Sequence, residues 1–124
     1  MTEQYNHCTL TINVTDNYKL QCLVTDSQGE DHLIKINDQQ TEEYLPITIA
    51  FNMNEITVCQ EQQNSIHFIK EWIEHPENYT KYQINYQNQQ YSIISEVLFA
   101  LIISQFKKRI EKEWIIDETL LHII

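Results

Sequence analysis

Seven consecutive apolar residues, Val97 to Ile103, stand near the head of a stretch running from Ser95 to Trp114. Within it Phe99, Ile102, Phe106, Ile110 and Trp114 recur at helical spacing, and Ser95 supplies a good N-cap hydroxyl. The spacing predicts a helix from Ser95 to Trp114, apolar on nearly every side in its first half. Its second half carries Lys107, Lys108, Arg109 and Lys112, half of the chain's basic residues, so one end is core and the other is wet. Seven apolar residues fall far short of the ~20 that cross a bilayer. The helix therefore belongs to a folded core, and the rest of the chain must supply a sheet for it to cover.

Strand patterns occur where that requirement places them. Cys8 to Val14 alternates, with Leu10, Ile12 and Val14 on one side and Thr9, Thr11 and Asn13 on the other. Thr15-Asp16-Asn17 is a polar reversal, and Tyr18 to Thr25 resumes the alternation through Leu20, Cys22 and Val24. Asp26-Ser27-Gln28-Gly29 makes the next turn before a third strand, His32 to Ile36, completing a meander. After an acidic loop, Pro46 opens Ile47 to Phe51, which pairs through Asn52-Met53-Asn54 with Glu55 to Cys59. Asn64 caps a helix through Glu74, bounded by Pro76. Lys81 to Tyr86 and Gln89 to Ile93 flank Gln87-Asn88 as a third hairpin leading into the long helix, and Leu120 to Ile124 is a closing apolar strand. This order predicts one α+β or mixed α/β domain over residues 1–124, a β-meander and hairpins packed on a long helix.

Charge and cysteine content narrow the function. Eight Lys and Arg against eighteen Asp and Glu leave a net charge of −10, which repels a phosphate backbone, so nucleic acid is not an expected partner. The polar opening Met-Thr-Glu-Gln-Tyr-Asn resembles neither a secretory signal nor an anchor, and three cysteines without close pairing suit a reducing compartment. A cytoplasmic location without membrane insertion is expected. His7, Cys8, Cys22, Cys59, His67 and His75 show no metal-ligand spacing and no nucleophile–base arrangement, so no metal and no catalytic residue is expected among them. Lys107 to Lys112 reads either as a docking patch for an acidic surface or as cations placed favourably at a helix C-terminus.

In their order, these segments resemble the first part of the nucleotide-binding domain of the seventy-kilodalton heat-shock chaperones, an actin-like ATPase fold. The family's I-D-L-G-T-T-Y opening is similar to Ile12-Asn13-Val14-Thr15-Asp16-Asn17-Tyr18, and its P-S-x-V-A-F strand to Pro46-Ile47-Thr48-Ile49-Ala50-Phe51. The family helix N-T-x-x-x-x-K-R-L-I resembles Asn64-Ser65-Ile66-His67-Phe68-Ile69-Lys70-Glu71-Trp72-Ile73. The hairpin Tyr82 to Tyr86, the Ser95-Glu96-Val97 helix start and the closing strand fall in family order. The resemblance implies a single partial ATPase lobe, with vestigial nucleotide positions at Asn13, Thr15, Asp16, Asn17 and Lys70.

The departures imply lost activity. The family's acidic residue and Gly-Thr-Thr turn, which serve magnesium and phosphate, are replaced by Asn13, Thr15, Asp16 and Asn17. A branched side chain stands where the backbone would approach phosphate, and Asp16 sets a negative charge against a negative ligand. With Gly29 the one glycine of the chain, no second phosphate loop of that type can be built. Lys70 aligns with the family's catalytic lysine, yet it also reads as a solvated helix lysine. The expectation is a pseudoenzyme without cofactor: a protein-interaction or structural subunit of a larger assembly, cytoskeletal or other. The alternative is an ATP-binding chaperone fragment or co-chaperone that completes its site with a partner chain. The family fold continues beyond the closing strand, so Leu120, Leu121, His122, Ile123 and Ile124 are the expected contact with a partner protein.

Overall fold

The computed structural model describes residues 6–123. In chain order the elements are β1 (Asn6–Val14), β2 (Lys19–Thr25), β3 (Asp31–Leu33), β4 (Leu45–Pro46), β5 (Thr48–Asn52), β6 (Glu55–Val58), β7 (Ile66–His67), α1 (Ile69–Glu74), β8 (Lys81–Tyr86), β9 (Gln89–Ile94), α2 (Ser95–Ile110) and β10 (Trp114–Ile123). The class is α+β. The chain divides into two units, residues up to Leu45 with those from Gln105 onward, and Pro46–Ser104 between them; α2 contributes to both.

The first unit is built outward from β1. This strand pairs antiparallel with β2 in a register that sets Ile12 opposite Cys22, and parallel with β10, giving the order β10-β1-β2-β3 with β4 beside β2. Its alternation has a direct structural result. Cys8, Leu10, Ile12 and Val14 are buried, as are Leu20, Cys22 and Val24 of β2, while the intervening β1 residues Thr9, Thr11 and Asn13 are half-buried. Branched residues at Ile12, Val14 and Val24 suit this pleated surface. Gly29, at φ +82°, supplies the left-handed residue that closes the β2–β3 turn.

The second unit holds the sheet β6-β5-β7 and the separate hairpin β8–β9. The hairpin's two-residue turn places Gln87 and Asn88 at φ 52° and 62°, the left-handed pair that matches strand twist. Packing here is aromatic. Trp72 meets Phe99 edge to face at 5.4 Å and Phe68 at 6.5 Å, and Phe51 meets Tyr86 at 5.8 Å.

In α2 the buried residues are Ser95, Leu98, Phe99, Ile102, Phe106 and Ile110, a stripe at three- and four-residue intervals, whereas Val97 and Ala100 are exposed. Its first half is therefore amphipathic rather than apolar on every side. The helix ends at Ile110. N–H groups of Lys112 and Glu113 reach the carbonyls of Arg109 and Ile110 in a tightened last turn, so Trp114 opens β10 instead of continuing the helical stripe. No helix among the described residues is long and apolar enough to cross a membrane.

Three other expected boundaries move. Asn64 caps no helix: its side-chain amide donates to the Phe51 carbonyl and the Asn52 amide oxygen, tying the loop to β5. Ile66–His67 then pairs with β5 as β7, and α1 begins at Ile69. The third strand ends at Leu33 rather than Ile36, and the closing strand begins at Trp114 rather than Leu120.

Phe106 is fully buried on the α2 stripe. Phe106→Ala should cost about 3–5 kcal/mol through lost burial and cavity formation, read as a lowered chemical-denaturation midpoint with an unchanged slope. An unaltered midpoint would show that this stripe is not core.

Candidate functional site

Of the five positions that the resemblance to a nucleotide-binding lobe singles out, Asn13, Thr15, Asp16, Asn17 and Lys70, four lie together at the β1–β2 reversal. Asn13 donates its side-chain amide to Gln21 at 2.9 Å, and Gln21 donates onward to Glu43, so Asn13 belongs to a cross-strand polar chain. Thr15 closes the turn. Its N–H reaches the Lys19 carbonyl at 2.9 Å, its carbonyl accepts from Tyr18 N–H at 3.0 Å, and its hydroxyl oxygen accepts from Lys19 N–H at 3.0 Å. The Thr15 hydroxyl also donates to Asn17. Three backbone N–H groups of this reversal are thus spent inside it, where a phosphate cradle needs them aimed at the ligand. Asp16 and Asn17 are exposed, and Tyr18 holds the left-handed φ of 61° that glycine would adopt without strain. Lys70 is exposed on the six-residue α1 of the other unit.

All three thiols are buried and outside any disulfide. Burial pushes the Cys59 thiol up to about 12, and burial with the neighbouring Asp117 carboxylate raises that of Cys8. Both environments disfavour the thiolate, the form that attacks or binds metal. Arg109 of the basic cluster pairs with Asp38 at 3.2 Å, an exposed pair that fixes little energy.

The closing strand has a more distinctive geometry. β10 runs parallel to β1, and among the described residues no strand pairs with its other edge. The register sets Ile12 beside Leu121 and Val14 beside Ile123, so these side chains share a face of the sheet. Ile12 and Val14 are fully buried, yet Leu121 is 46% and Ile123 50% exposed. The cover over this face therefore stops between two adjacent strands. On the opposite face Ile115 and Leu120 are exposed as well. His122 is exposed, and Ile124 lies outside the described residues. The register slips by one between Cys8 and Thr9, where Asp117 is the extra residue, and its carboxylate meets Nδ1 of His7 at 2.8 Å.

Where β10 begins, a cavity of about 540 Å³ opens, lined by His7, Asp26, Ser27, Gln28, His32 and Trp114 with Asn6. The β2–β3 turn shapes one wall. Asp26 Oδ1 accepts from the N–H groups of Gln28 and Glu30 at 2.9 and 3.0 Å, and Oδ2 stands 2.9 Å from Nε2 of His32. The His32 hydrogen bond, followed by that from Glu30 N–H, holds the Asp26 carboxyl below its ordinary range. The His32 ring lies 5.6 Å from the Trp114 ring. Sequence spacing overlooks this cluster because its residues match no ligand motif and are brought together only by the β2–β3 hairpin.

Compared with known proteins, the sequence matches no family model and no curated protein.

The self-satisfied Thr15 turn yields an expectation for nucleotide. Titrating the chain with ATP and magnesium should give no binding heat in calorimetry. Micromolar binding that disappears in Lys70→Ala would show that a nucleotide site persists by another route.

Proposed function

We propose that the chain is a non-catalytic protein-interaction subunit, built on a degenerate first lobe like that of the heat-shock chaperones, and that β10 is its docking element. The abrupt loss of cover between β1 and β10 carries this reading. Leu121 and Ile123 face the same side as the buried Ile12 and Val14 but keep about half their surface in water. Full burial of such side chains is worth about 1.5–3 kcal/mol each, so completing it here would contribute about 1 kcal/mol from each residue. The outer edge of β10 adds main-chain donors and acceptors for a further strand, the mode of recognition in which backbone bonds give affinity and side-chain pockets give choice of partner.

The occupant is an extended segment of another protein, neutral or basic and apolar at alternate positions. Asp117 and Glu118 lie in the middle of β10, and the chain carries a net −10. A second copy aligned on this edge would bring like charges together, whereas Lys or Arg opposite the pair would be attracted. The order of meander, hairpins, long helix and closing strand supports descent from a chaperone-like lobe. The turn closed by Thr15 supports a role that does not use ATP.

A photo-crosslinking residue at Leu120 should capture one discrete protein from native extract. Leu121→Asp with Ile123→Asp should abolish capture while leaving the circular dichroism spectrum unchanged and the isolated chain monomeric in sedimentation. A protein alone in solution whose β10 amides are all strongly protected from hydrogen exchange would remove the physical basis for docking at this edge.

A further inference from the structure

We propose that Asp26, Glu30 and His32 form a binding site for a borderline divalent transition metal, Zn²⁺ being the type ion. One ligand atom from each of the three residues lies within 4.8 Å of the other two, uniting an imidazole nitrogen with two carboxylate oxygens. Bonds of about 2.1 Å place neighbouring ligands of an octahedral ion about 3.0 Å apart, and those of a tetrahedral ion about 3.4 Å apart. The 2.9 Å between Nε2 of His32 and Oδ2 of Asp26 matches the first of these. An ion inserted there replaces the single proton the two atoms share.

The donors are held by a tight hairpin. Asp26 Oδ1 is fixed by two backbone N–H groups, which leaves Oδ2 directed at His32, and His32 stands in register with Val24 on β3. The turn's bonds explain Asp26, but they do not use the Glu30 carboxylate. A cation there would take the imidazole nitrogen and both carboxylate oxygens as ligands, and the chain's net charge of −10 favours its approach. The adjoining cavity, to which Asp26 and His32 contribute, gives an ion entry and room for water to complete its shell. Its donor chemistry selects the metal. One imidazole with carboxylates suits Zn²⁺, Co²⁺ or Ni²⁺, whereas Mg²⁺ and Ca²⁺ take oxygen donors. This site is separate from the docking reading of β10 and stands or falls independently of it.

The structure supplies a local reporter, because the Trp114 ring is 5.6 Å from the His32 ring. In a Trp72→Phe background Trp114 is the one remaining tryptophan. Calorimetry with Zn²⁺ should give one ion per chain, and Ni²⁺ should quench the Trp114 emission with saturation at the same stoichiometry. His32→Ala and Glu30→Gln, both at exposed positions, should each weaken binding by about tenfold or more, while His67→Ala, an imidazole paired with Glu61 elsewhere on the surface, should change it by less than about twofold. Circular dichroism of each variant establishes that it is folded. Absence of Zn²⁺ heat, or weak binding at several sites that falls equally with any histidine, would overturn the proposal.

Discussion

Everything in the first unit depends on β1 being hydrogen-bonded along both edges. From Thr9 to Val14 the strand is paired with β2 on one side and β10 on the other, so along that stretch its main-chain groups are satisfied within the sheet and burial is limited only by side chains. Leu10, Ile12 and Val14 meet that condition with no exposed surface at all. The polar side chains on the other face are not idle. Asn13, Gln21 and Glu43 form a hydrogen-bonded chain across β1 and β2 to the loop before β4, so that face is also specified, by direction rather than by apolar area.

The parts of this fold legible in the sequence are those where one physical signal acts alone. Alternation over Cys8–Val14 could mean only a half-buried strand, and Gln87-Asn88 between two alternating runs could mean only a tight hairpin. The α2 stripe is legible for the same reason up to Ile110. Trp114 misleads because four residues separate it from Ile110, which fits the helical period, while the deciding interaction is parallel pairing with Asn6 more than a hundred residues away. Asn64 misleads because an N-cap residue and a loop-to-strand tether need the same short amide side chain; the tether wins where Phe51 and Asn52 offer acceptors. The Asp26–Glu30–His32 cluster is hidden for another reason. Its geometry arises from hairpin pairing, and spacing along the chain does not encode it.

Scarcity of glycine has a structural cost distributed through the molecule. Tyr18, Met53, Cys59, Gln87 and Asn88 all adopt positive φ, a region disfavoured for residues with a Cβ. Four of them take part in a backbone hydrogen bond that holds the turn. Tyr18 donates its N–H to Thr15, Gln87 donates to the Met53 carbonyl, and Cys59 donates to the Thr48 carbonyl. These bonds hold the turns in shape without the flexibility glycine would bring, and they leave the turns' amides occupied. Residues with a Cβ at these positions make the loops stiffer than glycine-rich counterparts.

The one-residue slip at Asp117 also governs what the edge strand cannot do. A long, flat, apolar edge is a template on which identical copies stack into a fibre, and Trp-Ile-Ile and Leu-Leu-His-Ile-Ile have the composition that such stacking favours. Between those two segments, the slip sets the pleat out of phase and leaves Asp117 and Glu118 standing at its midpoint. In-register layers would superimpose these carboxylates every ~4.8 Å, with nothing in the stack to neutralise them. The irregularity thus acts as a gatekeeper, interrupting the edge as a seed for ordered aggregation while leaving each half short enough to remain a strand of the native sheet.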